Sequence, residues 1–360
     1  MSTIKSVGVL TGGGDCPGLN AVIRSVARAC FQHNIRVWGI QNGFGGLVEN
    51  QITELTDKEV SGILHRGGTI LGTTNRDNPF KYLVTVNGTT EYQDKSGQAL
   101  GNLRSKHIDA LIVIGGDGSL RIAHDFHKLG FPVVAVPKTI DNDIPGTERT
   151  FGFDTAVSCA CDALDRLHTT AESHHRVMVL EVMGRYAGWI ALYSGLAGGA
   201  DCILLPEIPF DINSVIKKIN NRKEKGKLFS IIVAAEGAFP FNGEQTVARI
   251  VEGSPEKIRL GGVGEKLTRE IEALTGIESR CTVLGHLQRG GSPTSFDRVL
   301  STRYGVAAVD ALVASHTGCM VALQNNRIVR VPIESIAGQP GNVPLSFLDF
   351  GRSIGVCFGD

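Results

Sequence analysis

Short apolar runs recur along the chain and alternate with longer stretches whose apolar positions repeat at helical spacing. Such runs read as strands buried on both faces, and the helix-period stretches between them as crossovers that lay the next strand parallel to the last. Strands are expected at Ser6–Leu10, Val37–Ile40, Ala110–Ile114, Val133–Val136, Val177–Val182, Cys202–Leu205, Ile231–Ala235 and Cys281–Leu284. A glycine-rich turn after the first opens a helix from about Leu19 to Phe31, in which residues 19, 22, 23, 26 and 30 share one apolar face. The fold class is therefore α/β. The stretch from Thr73 to Lys106 is polar, dotted with glycine and weak in helical period, and reads as surface loops with a small hairpin.

Composition narrows the class. At 360 residues with 42% apolar content the chain can bury two cores, and no proline-rich or charged linker separates two halves. Lysine plus arginine and aspartate plus glutamate each total 36, so no net field favours nucleic acid or an anionic membrane surface. The eight cysteines include no CxxC pair and lie mostly in apolar surroundings, which reads as reduced thiols and neither a zinc site nor a disulfide framework. No stretch approaches the ~18 to 20 apolar residues of a membrane span, and the start carries no signal-like apolar region, so the cytoplasm is expected.

Candidate chemistry sits where strands give way to loops, the edge at which ligands bind in open parallel sheets. The first such loop is Thr11-Gly12-Gly13-Gly14-Asp15-Cys16-Pro17-Gly18, whose glycines let backbone approach a phosphate; it lacks a Walker lysine and does not fit GxGxxG. Taken alone it suits a plain tight turn equally well. The second is Gly115-Gly116-Asp117-Gly118-Ser119, where Asp117 is placed either to hold magnesium or to cap the helix that follows. The third is Pro137-Lys138-Thr139-Ile140-Asp141-Asn142-Asp143, with two acids spaced for a base and a positioning group, or for turn chemistry. Downstream, Met183-Gly184-Arg185 brings a forked cation to a strand end, and Arg280 to Pro293 clusters Arg280, His286 and Arg289 as a phosphorylated small molecule would require.

Other features read more plainly. His174 and His175 are expected at the surface, Gly261 to Lys266 as a helix N-terminus in the wrong register for a Walker loop, and Arg222 to Lys227 as a solvated helix end.

In this order and at these separations, the motifs from about residue 5 to about 330 resemble the phosphofructokinase family. The resemblance implies two doubly wound α/β domains with mostly parallel sheets facing a cleft. One, 1–152 plus about 288–338, would bind the phosphoryl donor; the other, 153–287 plus about 339–360, would bind fructose 6-phosphate. The implied reaction moves the terminal phosphoryl group of ATP, with Mg2+, to the 1-hydroxyl of fructose 6-phosphate in glycolysis. Asp141 would be the base, with Asp143 beside it, and Thr139 and Arg185 would stabilise the transferring group. Gly14, Arg76, Gly116, Asp117, Gly118, Ser119 and Lys138 would line the donor, with Asp117 on the metal. Met183, Gly184, Glu236, His286 and Arg289 would hold the sugar. Arg176 and Arg280 would reach the 6-phosphate from a neighbouring subunit, which implies a homotetramer or at least a dimer with shared sites.

The donor markers disagree. Gly118 matches ATP-dependent members, whereas Lys138 resembles a lysine of pyrophosphate-dependent ones; a missing side chain opens room for a nucleotide, so ATP is expected and pyrophosphate is the alternative. Arg76 matches a donor-side arginine only with one residue inserted. Arg24 and Arg28 match basic residues of an effector site, but Asp57 stands where a further arginine is due, so control by ADP or phosphoenolpyruvate is not expected. A silent, ligand-binding paralogue would have lost Asp117, Asp141 or Arg185, and a kinase for a different acceptor would lack the Thr139–Asp143 and Arg280–Arg289 segments; all are present.

Overall fold

The structure, a computed structural model, describes residues 4–86, 88–250, 258–339 and 341–360. It divides into two compact units: Met1–Thr139, Ile144–Gly152 and Arg289–Gln339 form one, and Ile140–Asp143, Phe153–Gln288 and Pro340–Asp360 the other. The short stretch Ile140–Asp143 thus counts with the second unit, although the residues on either side of it belong to the first.

The first unit is built on a seven-stranded sheet in the order Arg327–Pro332, Cys319–Gln324, Val133–Pro137, Ala110–Gly115, Ser6–Thr11, Arg36–Ile40, Ile52–Leu55. Pairing is parallel from Cys319–Gln324 through to Arg36–Ile40, and only the two outermost strands run antiparallel. The central strands are valine- and isoleucine-rich and buried along their whole length, as both-face coverage by helices demands. One core gathers Leu10, Leu111, Val113, Val133 and Met320 around Phe126, which Phe44 stacks at 6.1 Å and Phe80 meets edge-on at 5.3 Å.

The second unit carries a four-stranded, wholly parallel sheet in the order Ser279–Val283, Val177–Val182, Ser230–Ala235, Cys202–Leu204. Its core joins Val179, Ile232, Leu204 and Leu267. No helix among the described residues is long and apolar enough to cross a membrane.

The expected strands are all present, with the last displaced to Ser279–Val283, so that Arg280 lies inside the strand and not ahead of it. The Thr73–Lys106 stretch departs from expectation. It holds the antiparallel hairpin Tyr82–Val86 with Thr89–Gln93, but also a helix, Ser96–Ser105, that buries Ala99, Leu100 and Leu103. Gly97 and Gly101 lower its intrinsic propensity and dilute its period; packing overrides both. Arg222 is not merely solvated, because its guanidinium meets the mostly buried Asp201 at 2.6 Å. His174 and His175 are exposed, and Val263–Thr275 is a helix with Gly262 as its N-cap.

One buried carboxylate ties this second sheet to its helices. Glu181, 2% exposed, accepts the amides of Gly262 at 3.0 Å and Gly264 at 2.8 Å, and so caps that helix from a neighbouring strand. Glu181→Ala strands those buried donors and is expected to lower stability by about 2–4 kcal/mol in urea unfolding, with Glu181→Gln losing less because its amide oxygen still accepts. A loss below about 1 kcal/mol for the alanine variant would show that the helix does not need this cap.

Candidate active site

In the first unit, three neighbouring parallel strands end side by side. Thr11 pairs with Ile114, and Gly115 with Pro137, so the loops that follow leave one edge of the sheet in register. Backbone bonds carry that register past the strand ends: the Gly12 amide donates to the Ile114 carbonyl and the Lys138 amide to the Gly115 carbonyl, each at 2.9 Å.

The close fit explains the glycines. A Cβ on Gly12 would sit 2.4 Å from the Ser119 hydroxyl, and one on Gly115 would sit 2.2 Å from Ser119 Cβ. Ser119, nearly buried, thus wedges between the two loops and only glycine leaves it room. Gly13 adopts φ 79°, a left-handed conformation open to glycine, and its amide donates to Thr74 while Thr73 Oγ1 donates to its carbonyl. Two cations flank the next residues. The buried Lys138 ammonium donates to the Gly14 carbonyl, and Arg289 Nη1 donates to the Asp15 carbonyl at 3.2 Å, close enough that a Cβ on Gly14 would meet its guanidinium at 2.8 Å. Arg289 therefore lies against the glycine-rich loop of the first unit.

Asp117 is the first residue of the helix Asp117–Lys128, with Gly116 as N-cap, so the capping alternative is displaced by one position. Its half-exposed carboxylate accepts the Gly338 amide at 2.7 Å and pairs with Arg121 at 2.8 Å. The first-turn amides of such a helix have no intrahelical acceptor and face outward. A Cβ on Gly118 would touch nothing within 4 Å, so open space lies beside these donors. Arg76 is exposed, its amide bonded to Thr74 Oγ1 at 3.2 Å.

In the second unit, Met183, Gly184, Glu236 and His286, four of the residues expected around the sugar, follow the carboxyl ends of strands. Val182 pairs with Ala235, and the chain continues as Met183-Gly184-Arg185 and Glu236-Gly237, joined by the Gly237 amide on the Gly184 carbonyl at 3.1 Å. A Cβ on Gly237 would lie 2.1 Å from the Arg185 carbonyl, and Gly184 takes φ 139°. Arg185 stacks over Tyr186 at 4.9 Å. His286 is exposed in a short 3-10 turn, Gly285–Arg289, just beyond the neighbouring strand. Gln288, fully buried, fixes this corner: its Oε1 accepts the Met183 amide at 2.7 Å and its Nε2 donates to the Ala156 carbonyl. The Asp141 loop turns at Asn142, which adopts φ 52°.

Residues 6–312 match the family described as Phosphofructokinase. The chain belongs to the phosphofructokinase family. ATP-dependent 6-phosphofructokinase 2 of Clostridium perfringens is 53% identical over 365 residues, covering 100% of each chain. A pyrophosphate–fructose 6-phosphate 1-phosphotransferase of Amycolatopsis mediterranei is 51% identical over 340 residues, covering 94% of this chain and 96% of that one. Phosphofructokinase of Pichia pastoris in the T-state has a TM-score of 0.81 and 32% identity over 94% of this chain, which spans about a third, 36%, of the Pichia chain.

Within this phosphofructokinase-family chain, not all the expected sugar-side residues come together. Arg176 precedes the strand Val177–Val182 and Arg280 pairs with Met178 near its start, whereas Met183 to Arg185 follow its end. Six strand residues separate the two groups by roughly 20 Å. The two arginines share Glu278 instead, Arg176 Nε at 2.8 Å and Arg280 through Nη2, and the Arg176 hydrogen bond holds the Glu278 carboxyl below its ordinary range. Arg28 pairs with Asp57 at 3.1 Å, so the acid at that position takes up a cation of the expected effector group.

Sequence reasoning missed Gln288, Glu181 and Ser119's wedging role, since each acts through partners distant in sequence. Among the described residues no three His, Cys, Asp or Glu side chains cluster as a metal site. A single half-exposed carboxylate, Asp117, at a helix start fits an ion that takes few protein ligands and completes its shell with water and phosphate oxygens.

Cys16 packs under the glycine-rich loop, its thiol on the Phe151 carbonyl at 3.6 Å and in contact with Gly152, and burial pushes that thiol up to about 12. The Cys202 thiol beside Cys357 instead lowers Cys357 to about 7. Alkylation of the native protein with iodoacetamide at neutral pH is expected to modify Cys357 and spare Cys16, as read by peptide mass spectrometry. Rapid labelling of Cys16 would show that the loop is not packed in this way.

Proposed function

We propose that this chain transfers the terminal phosphoryl group of ATP to the 1-hydroxyl of fructose 6-phosphate, giving fructose 1,6-bisphosphate and ADP. The observation that carries the reading is the in-register ending of three parallel strands at Thr11, Gly115 and Pro137, the last leading within four residues to Asp141. Polyphosphate is met there by backbone amides, glycine turns and a helix start, the chemistry that phosphoryl transfer asks of a protein.

In the proposed roles, Gly14 and the Gly116–Ser119 turn cradle the donor phosphates while Lys138 and Arg289 stiffen the glycine-rich loop from either side. Asp117 would hold the magnesium, which would supply neutralisation of the donor's charge. Met183, Gly184, Glu236 and His286 orient the sugar so that its 1-hydroxyl oxygen approaches phosphorus in line. Asp141 takes the hydroxyl proton as the new O–P bond forms. The bond to the bridging oxygen breaks, and ADP leaves with that electron pair. Thr139 and Arg185 meet the charge spread over the transferring oxygens, and Asp143 supports the turn that presents the base. Positioning and charge neutralisation supply most of the acceleration, and the base about 10²- to 10⁴-fold.

The ~20 Å between Arg176 with Arg280 and the Met183–Arg185 group supports a site completed by a second copy, whose two arginines would take the 6-phosphate. The domain roles follow: the first unit binds the donor, and the second the sugar phosphate.

For the donor, the open space at Gly118 supports ATP, and Lys138, whose ammonium donates to the Gly14 carbonyl, does not oppose it, because a lysine can stand beside a nucleotide's phosphates. Asp141→Ser is expected to lower kcat by about 10²- to 10⁴-fold with little change in KM for fructose 6-phosphate, and near wild-type turnover would sink the role. Gly118→Asp has room for its side chain and sits in the first helical turn, where an acid is tolerated, so the fold should survive. It is expected to cut kcat/KM for ATP by about tenfold or more through repulsion of the nucleotide phosphates, and an unchanged value would remove Gly118 as a donor determinant.

A further inference from the structure

The second unit contains a backbone strap that joins its two catalytic loops. Gly341 donates its amide to the Asp143 carbonyl at 3.0 Å, and its own carbonyl accepts the indole N–H of Trp189 at 2.8 Å. Two residues on, the Val343 amide donates to Glu207 Oε1 at 2.9 Å, and the same carboxylate accepts the Gly188 amide at 3.0 and 3.1 Å. Residues 341–343 are thereby tied on one side to the turn that carries Asp141, and on the other to Gly188 and Trp189, three and four residues beyond Arg185. Trp189 is itself held, edge-on against Phe347 at 5.4 Å and tilted against Tyr193 at 6.0 Å.

The contact at Asp143 tolerates no side chain. A Cβ on Gly341 would lie 2.5 Å from the Asp143 carbonyl carbon, 2.6 Å from its oxygen and 3.0 Å from its Cα, all backbone atoms that cannot rotate aside. The close approach alone is enough to require glycine here. Nothing in the sequence marks this glycine, nearly two hundred residues from the loop it supports.

We propose that Gly341 and Trp189 are positioning residues for phosphoryl transfer, setting the Asp141–Asp143 turn against the Arg185 loop through the Asp143 carbonyl. The inference rests on Asp141 being the base. Displacing that turn by a fraction of an ångström moves the carboxylate relative to the hydroxyl it deprotonates, while the donor-binding groups of the first unit are untouched. Turnover should therefore suffer and donor affinity should not.

A double-mutant cycle tests this in the full-length protein. Gly341→Ala is expected to lower kcat by about tenfold to a hundredfold, with KM for ATP within about threefold of wild type. In an Asp141→Ser background the same substitution should cost less than about twofold, because a base that is absent cannot be misplaced. A purely structural role would instead multiply the two losses, and that result, or a Gly341→Ala kcat within about twofold of wild type, overturns the inference. Should Gly341→Ala fail to fold, Trp189→Phe keeps an aromatic ring beside Phe347 and Tyr193 while removing the indole N–H along with part of the ring's bulk. It is expected to lower kcat by about threefold to tenfold, with the same lack of further loss beside Asp141→Ser. Wild-type turnover in Asp141→Ser alone would mean that the base assignment has failed, and the inference with it; an impaired Asp141→Ser with multiplicative losses would leave the base standing and remove the strap.

Discussion

Register between parallel strands is the constraint on which the first unit of this protein, and the donor site proposed for it, depend. A polyphosphate carries too much charge to be met by one side chain and too little shape to be met by packing. It has to be met by backbone amides from several loops at once, and those loops must start at the same height. Pairing of Thr11 with Ile114 and of Gly115 with Pro137 sets that height, and the Gly12 and Lys138 amides extend it by one residue. Because parallel strands lie only about 4.8 Å apart, the loops leave no room for Cβ atoms where they cross, and Ser119 fills what space remains. The glycines are thus a consequence of the sheet as much as of the ligand.

The second unit solves a different problem. The proposed base and arginine, Asp141 and Arg185, must be held firmly on loops, which are the least constrained parts of a fold. Here the restraints come from buried polar side chains that reach backbone: Gln288 to Met183, Glu207 to Gly188 and Val343, Glu181 to the helix start at Gly262 and Gly264. Burial raises the Glu207 carboxyl above its ordinary range, against backbone amide hydrogen bonds, those of Val343 and Gly188 first, that favour its charged form. The residues expected around the sugar phosphate are thus divided between the two ends of one strand, Arg176 and Arg280 at its start and Met183 to Arg185 beyond its end.

Much of this was legible in the sequence. Most interior parallel strands announce themselves as unbroken apolar runs, although Cys319–Gln324 was not among those expected, and the glycine and aspartate clusters that follow them are local features, so the loops at Gly12, Gly116 and Asp141 could be found without a structure. Edge strands could not: Ile52–Leu55 and Arg327–Pro332 are partly exposed and short of continuous apolar character. The helix Ser96–Ser105 hid behind its glycines. The second tier of the site was also out of reach, because a glutamine, a tryptophan or a lone glycine acquires its meaning only from a partner far along the chain, as Trp189 does from Gly341.

The central claim is that these loops hold ATP for transfer to fructose 6-phosphate, and a steady-state comparison of ATP, ADP and pyrophosphate as donors with that sugar tests it most directly. The account predicts fructose 1,6-bisphosphate formation with the highest kcat/KM for ATP. A preference for pyrophosphate by more than about tenfold, which is about 1.4 kcal/mol of transition-state binding, would contradict the reading of Gly118 and Lys138. Absence of the bisphosphate product with every donor would contradict the function itself.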